Sequence, residues 1–191
     1  MTYIETTPEE AATGELAALY EEARAAFGYV PNFVRAFSAR PDVYRAWQQL
    51  NAAVKARDPR RYELATLSAA RRLRSSYCAL AHGKVLAEQF LHAEAVAALP
   101  EGLEDADRAV MELAEKVASD ATSVTKADVE RLRALGLSDA EIVDVVLAAA
   151  ARSFFSKTLD ALGAEPDAAY GRLDPVLRDA LVVGRPIETQ P

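Results

Sequence analysis

Helix-start signals recur along the whole chain, and no segment of useful length alternates apolar and polar residues as a half-buried strand does. Each signal places a capping residue or a proline directly before a run of apolar residues at helical spacing. The signals stand at Thr7-Pro8-Glu9-Glu10, Pro41, Asp58-Pro59, Ser75 or Ser76, Thr125-Lys-Ala-Asp128 and Ser138-Asp-Ala-Glu141. The sequence therefore predicts an all-α fold.

Apolar spacing and helix-ending residues set the expected lengths of these helices. Val43, Trp47, Leu50 and Val54 recur at helical spacing and are expected to face a core. Gly28 is a natural end for the helix before it. The predicted helices are a short helix or turn after Pro8, Gly14 to Phe27, Pro41 to about Ala56, Asp58 to the arginines ending at Arg74, Ser75 to near Leu99, Asp105 to Ala118, one helix after Thr125, one after Ser138 that runs to Leu162, and a short piece from Leu173 to Leu181.

Size, charge and cysteine content limit the classes of protein that remain. The chain has 191 residues, 51% of them hydrophobic, and a net charge of −7. One domain with a real core is expected, and the negative charge excludes nucleic acids and anionic membranes as main partners. The N-terminus has no signal-peptide pattern, and no apolar run approaches the roughly 18 residues of a membrane span.

The single cysteine excludes an intrachain disulfide framework and a thiolate zinc cluster, and it suits a reducing compartment. The two histidines form no zincin motif. We therefore expect a soluble cytoplasmic protein that holds neither a metal nor a cofactor.

The lone cysteine is also the best functional signal. Cys78 stands close behind the helix start at Ser75 or Ser76, and His82 follows it by four residues, on the same helix face. The positive end of the helix dipole and the unpaired N–H groups there favour a thiolate. An imidazole one turn away can take or return the proton, so the pair predicts a nucleophile.

Glu63 is the candidate partner for this imidazole. It lies twelve residues before Ser75 on the preceding predicted helix. Two antiparallel helices joined by a tight turn would bring Glu63 near Cys78 and His82. A carboxylate there could orient and recharge the histidine.

With these residues in view, the chain resembles the carboxymuconolactone decarboxylase and alkylhydroperoxidase D (AhpD) superfamily. Its signature is a glutamate, about a dozen residues, and then Cys-x-x-Cys-x-x-x-His. Glu63, Cys78 and His82 match the glutamate, the second cysteine and the histidine, whereas Ser75 stands in place of the first cysteine. Further likeness to the longer peroxidase-related branch lies at Gly28-Tyr-Val-Pro-Asn-Phe33, Val129 to Ser138, and Pro166 to Pro186.

The resemblance implies one AhpD-like multi-helix domain, with N-terminal helices in residues 1–57, a core at about 58–165 and a C-terminal extension over 166–191. It implies that Cys78 attacks a hydroperoxide, with His82 and Glu63 as proton relay. Because Ser75 cannot close the family's internal disulfide, an external thiol or dithiol would reduce the sulfenic acid. Ser75 and Tyr77 are supporting candidates, and Tyr77 stands where the family often has another histidine.

Other interpretations remain open at this stage. Cys78 alone would usually be a small buried hydrophobe, and Glu63 alone could simply complement a helix start. The second enzyme class is acid–base chemistry on a small carboxylated substrate, with Arg152 or Lys157 as the carboxylate-binding cation. A third hypothesis is a non-catalytic protein, either a redox sensor through Cys78 or an assembly component.

A homo-oligomer is expected, as in members of the superfamily. The helix from Ile142 to Phe155 is apolar nearly all round, which is typical of a central or interface helix. The tail from Val182 to Ile187 is the second candidate interface element.

Overall fold

A computed structural model of the chain describes residues 2–189. Within this range the regular structure is entirely helical, which confirms the predicted all-α class. The ten α-helices are α1 (Gly14–Phe27), α2 (Asn32–Arg35), α3 (Pro41–Lys55), α4 (Pro59–Arg72), α5 (Ser76–Gln89), α6 (Ala93–Ala98), α7 (Asp105–Asp120), α8 (Lys126–Ala134), α9 (Asp139–Ala161) and α10 (Pro175–Leu181), with 3₁₀ turns at Glu9–Ala11, Ala121–Ser123 and Ala168–Arg172. No helix of the described residues is long and apolar enough to cross a membrane.

Most predicted helix starts are confirmed because their signals are local. The Thr125 and Ser138 side chains form reciprocal capping boxes with Asp128 and Glu141 at the starts of α8 and α9. The Asp58 carboxylate accepts the backbone N–H of Arg61 and so caps α4.

The capping box predicted at Thr7 is wrong. The element there is a 3₁₀ turn that begins at Glu9, and it has no side-chain cap. The Thr7 N–H instead donates to the Ser38 hydroxyl over 3.1 Å, so a long-range contact replaces the local one.

The single helix predicted from Ser75 to near Leu99 is two helices. The N–H groups of Phe90 and Leu91 both donate to the Leu86 carbonyl, which closes α5. The His92 backbone is extended, and its ring Nδ1 accepts the N–H of Ala95 at the start of α6. His92 is 73% exposed, as the sequence predicts, but its capping role was not foreseen.

Helix α4 runs through the centre of the molecule and packs against α5, α7 and α9. Leu64, Leu67 and Ala70 face one apolar cluster with α5, whereas Ala65 and Ala69 face a second cluster with α7 and α9. Alanines at these crossings allow the helices to approach closely. Residues near the start of α4 are therefore held in the interior.

Helix α3 covers one side of this core. Val54 is buried, and Val43 and Trp47 pack against the core as half-buried residues. Leu50 is 50% exposed, so its predicted core position is wrong. The half-buried Trp47 and Lys55 lie two turns apart, on the helix side that faces the interior.

Helix α9 has an apolar face on each side, in keeping with its sequence. Ile142, Val145 and Ala149 are buried. The opposite side leaves Val143, Val146, Leu147 and Phe154 exposed by 37 to 54%. Their spacing makes one continuous stripe on the helix. In the C-terminal tail, by contrast, Val183 and Ile187 pack against the chain's own core.

We expect this α9 stripe to bury itself against a second copy of the chain. A charge at its centre, Leu147→Glu, should shift the mass measured by light scattering at micromolar concentration to that of a monomer, because an unpaired carboxylate is costly to bury. Val176→Glu, at an equally apolar exposed site on α10, is the matched control and should leave the mass unchanged. A monomeric wild type would contradict the expectation.

Candidate active site

The turn between α4 and α5 positions the cysteine. Arg74 adopts a left-handed conformation with φ of 57°, which reverses the chain within a few residues. Ser75 then occupies the N-cap position, and Cys78 falls in the first turn of α5. The fully buried Ser75 side chain makes no capping hydrogen bond, so the amides of this first turn are available to a negative charge on the sulfur.

The tight turn brings Glu63 and His82 together, as the sequence predicts. His82 Nδ1 lies 2.5 Å from Glu63 Oε2. The other carboxylate oxygen accepts a hydrogen bond of 2.6 Å from Lys55 Nζ on α3. Glu63 is only 1% exposed, so a buried carboxylate holds both an imidazole and an ammonium group.

The charges of this cluster follow from its surroundings. Burial raises the pKa of the Glu63 carboxyl, but hydrogen bonds from His82 and Lys55 outweigh burial and hold that pKa below its usual range. Burial, followed by the positive charge of Arg152, lowers the pKa of His82 to about 4. At neutral pH, His82 is therefore an uncharged imidazole whose Nδ1–H donates to the Glu63 carboxylate, which leaves Nε2 as a free acceptor.

The immediate partner of the cysteine is an arginine of α9. Arg152 Nη1 donates to Cys78 Sγ over 3.5 Å, and Nη2 donates to the Tyr62 hydroxyl over 3.2 Å. Cys78 is 2% exposed and Arg152 is 3% exposed. No hydrogen bond joins Cys78 to His82 within residues 2–189, although the two lie one turn apart on α5.

Arg152 has no carboxylate partner among the described residues. A buried guanidinium stays protonated and requires a negative charge nearby. Burial lowers the pKa of Arg152, but attraction to Cys78 and Tyr62 more than offsets this and raises it. The Cys78 sulfur and the Tyr62 hydroxyl are the two groups that accept hydrogen bonds from this guanidinium.

Aromatic rings enclose the guanidinium. The Arg152 Cζ atom lies 5.7 Å from the ring centroid of Trp47 and 5.5 Å from that of Phe155. Those two rings stack with centroids 3.9 Å apart. The Tyr62 ring meets His82 edge-on at 5.9 Å and connects the arginine to the histidine cluster.

A cleft of about 150 Å³ lies between α3, α4 and α9. Its walls include Val54, Arg61 and Ala148, and Tyr62 forms part of its lining. Arg152 donates hydrogen bonds both to Tyr62, which lines the cleft, and to the Cys78 sulfur. These two hydrogen bonds connect the lining of the cleft to the sulfur.

Tyr77 lies outside this cluster. Its hydroxyl donates to the Asp167 carboxylate and accepts the N–H of Phe33 over 3.0 Å. Asp167 also accepts the N–H of Asn32. Tyr77 on α5 thus links the C-terminal extension to α2. This structural position differs from the supporting role that the sequence predicts for Tyr77.

Lys55, Tyr62 and the contact of Arg152 with the sulfur were not found from the sequence. Arg152 entered there only as a candidate cation for a substrate carboxylate. The available signal was a lone arginine inside an apolar helix, between Ala151 and Phe154, where a charge is costly unless it is paired.

The donor set of the site does not favour a metal. Among the described residues, no group of three or more histidine, cysteine, aspartate and glutamate side chains could hold a metal ion.

Neither a protein-family model nor a curated protein matches the sequence. Solved structures do match the fold. A peroxidase-related protein from Ralstonia eutropha JMP134, described as an alkylhydroperoxidase AhpD core, superposes with a TM-score of 0.77 at 24% identity over 88% of this chain and 94% of its own. A peroxidase-related protein from Silicibacter sp. TM1040 gives 0.74 at 19% identity, over 90% and 94%.

The chain has the AhpD-like fold. The same fold carries another chemistry, since the debrominase Bmp8 superposes with a TM-score of 0.71 at 15% identity, over 94% of this chain and 97% of its own. A cysteine-to-alanine variant of Bmp8 in complex with 2,3,4-tribromopyrrole also matches, with a TM-score of 0.72 at 16% identity over 94% and 98%. The AhpD-like fold is thus established, and the activity is argued from the site.

Acid should destabilise this AhpD-like fold through His82. Because the pKa of His82 is lowered from 6.5 to about 4, the unfolded chain binds the proton more readily. The stabilisation, about 3 kcal/mol, is complete above pH ~6.5 and is lost as the pH falls towards 4. Urea unfolding of the wild type should show this loss.

His82→Gln should show a much flatter change in the free energy of unfolding across this window. His92→Gln, at an exposed site, is the control and should follow the wild type. Parallel curves for the wild type and His82→Gln would contradict the expectation.

Proposed function

We propose that the protein is a thiol-dependent hydroperoxide reductase in which Cys78 is the reacting thiolate. The observation that supports this most directly is the 3.5 Å contact between the sulfur and a buried guanidinium that has no carboxylate partner among residues 2–189. A neighbouring cation and a helix N-terminus both favour the nucleophilic form of cysteine. The AhpD-like fold agrees with this chemistry.

In the first half-reaction, the thiolate attacks the terminal oxygen of a hydroperoxide. An S–O bond forms and the O–O bond breaks, so the sulfur is oxidised to a sulfenic acid while the peroxide is reduced. The alkoxide that leaves takes a proton from water and departs as the alcohol.

In the second half-reaction, an external thiol restores the cysteine. His82 Nε2 takes the proton of that thiol, and the thiolate so formed attacks the oxidised sulfur. The hydroxide that leaves takes the proton back from His82 as water, and a second thiol releases Cys78 from the mixed disulfide. The hydrogen bond to Glu63 orients the His82 ring and leaves Nε2 as the proton acceptor. Because burial lowers the pKa of His82, its protonated form is short-lived and returns the proton readily to the leaving hydroxide.

Reductive debromination is a second candidate. A debrominase shares the fold. The Arg152 that contacts the cysteine also lies against the rings of Trp47 and Phe155, and such aromatic surroundings suit a flat halogenated ring. Acid–base chemistry on a carboxylate is less well supported, because the expected cation, Arg152, contacts the sulfur. A redox sensor would use the same first step without turnover.

Cys78→Ser should abolish hydroperoxide consumption in the presence of a small dithiol, because the nucleophile is gone. His82→Gln should slow turnover by about 10²-fold, and the exposed His92→Gln is its matched control. Consumption of hydroperoxide is followed directly, with 2,3,4-tribromopyrrole tested in parallel. Equal rates of hydroperoxide consumption for the wild type and Cys78→Ser would refute the proposal. Release of bromide from 2,3,4-tribromopyrrole without hydroperoxide consumption would favour the second candidate.

Ser75→Cys should create an internal resolving thiol. Positions 75 and 78 flank the first turn of α5, at the spacing of a Cys-x-x-Cys pair. After one equivalent of hydroperoxide, we expect intact-mass spectrometry to show a disulfide in this variant and a sulfenic acid or its dimedone adduct in the wild type. Ser76→Cys, one residue on, is the control and should form no such disulfide. A persistent sulfenic acid in Ser75→Cys would contradict the expected geometry.

A further inference from the structure

One of the three guanidinium nitrogens of Arg152 has no hydrogen-bond partner among the described residues. Nη1 donates to the sulfur and Nη2 to Tyr62, but Nε is buried and has no hydrogen-bond partner among the described residues. Leaving a buried donor without an acceptor is costly. Its position beside the reactive sulfur indicates that the missing acceptor arrives with the substrate.

Trp47 presents a second donor of the same kind. Its indole Nε1 is buried and has no partner among residues 2–189. Its ring lies against the Arg152 guanidinium and stacks on Phe155. Helices α3 and α9 thus bring two side chains with unsatisfied N–H donors, Trp47 and Arg152, against each other, and Arg152 contacts Cys78.

We propose that Arg152 and Trp47 bind the leaving oxygen of an organic hydroperoxide, so that one guanidinium stabilises negative charge first on the sulfur and then on that oxygen. The inference rests on the proposed function and goes further, since it assigns two catalytic residues outside the cysteine, histidine and glutamate.

The movement of charge during the step explains how one guanidinium can stabilise both the sulfur and the leaving oxygen. The thiolate begins with the negative charge, next to Nη1. As the S–O bond forms and the O–O bond breaks, the charge moves to the alkoxide oxygen, next to Nε. The guanidinium keeps a counter-charge throughout, and donors aimed at developing charge lower the barrier most. Water then supplies the proton to the alkoxide.

The test separates the reactivity of the thiolate from stabilisation of the leaving oxygen. Iodoacetamide alkylates the single cysteine and needs only an accessible thiolate, whereas tert-butyl hydroperoxide also needs help with its leaving oxygen. The rate with peracetic acid should depend on this stabilisation less than the rate with tert-butyl hydroperoxide does, because acetate is a good leaving group. All three rate constants are measured on the full chain in single-turnover experiments.

Trp47→Phe keeps an aromatic ring at this position but removes the N–H together with the five-membered ring of the indole. We expect it to lose about tenfold in the rate with tert-butyl hydroperoxide, much less with peracetic acid, and nothing with iodoacetamide. Arg152→Lys keeps the positive charge but loses Nε, and its rate with tert-butyl hydroperoxide should fall by about 10²-fold relative to its alkylation rate.

Tyr20→Phe removes the hydroxyl of a buried tyrosine on α1, where it donates to the Thr7 carbonyl outside the cysteine cluster. It is the control that should leave all three rates unchanged. If the variants lose all three rates equally, the leaving-oxygen role is overturned while the reductase activity stands. If the wild type is alkylated but reduces neither peroxide faster than Cys78→Ser, the proposed function fails and the inference fails with it.

Discussion

The buried contact between Arg152 and Cys78 sets the chemistry of this molecule. Burying an ion costs several kcal/mol even after relaxation. Unit charges about 4 Å apart recover about 4 kcal/mol at the effective dielectric constant of a protein. The two terms are of similar size, so the guanidinium is tolerable in the interior only with a negative partner. Within the described chain, the cysteine sulfur is the group placed to be that partner.

The helical scaffold provides this contact together with a second, separate ion pair. Central helix α4 carries both Tyr62, which contacts Arg152, and Glu63, which binds Lys55. The uncharged His82 ring lies at the junction of the two pairs, against both Glu63 and Tyr62. Glu63 is paired with Lys55, and in the proposed thiolate form Cys78 would be paired with Arg152, so each cation would lie opposite an anion.

The sequence predicts those features that depend on neighbours along the chain. The caps at Thr125 and Ser138 follow from residues three apart, and the meeting of Glu63 with His82 follows from one tight turn between two helices. The partner of Cys78 could not be predicted, because Arg152 lies 74 residues away and reaches the sulfur only through the packing of α9. The split between α5 and α6 was missed because His92 caps through an unusual side chain.

Burial of Cys78 limits the molecules that can reach its sulfur. The low exposure of Cys78 and Arg152 keeps water from screening their attraction. The same burial excludes a protein-sized reductant from direct contact with the sulfur, since a disulfide exchange requires the attacking thiol to line up with it. The side chains that close the site from one side, Trp47 and Lys55, belong to α3. For the proposed reductase, we therefore expect a small thiol rather than a docked protein as the reductant.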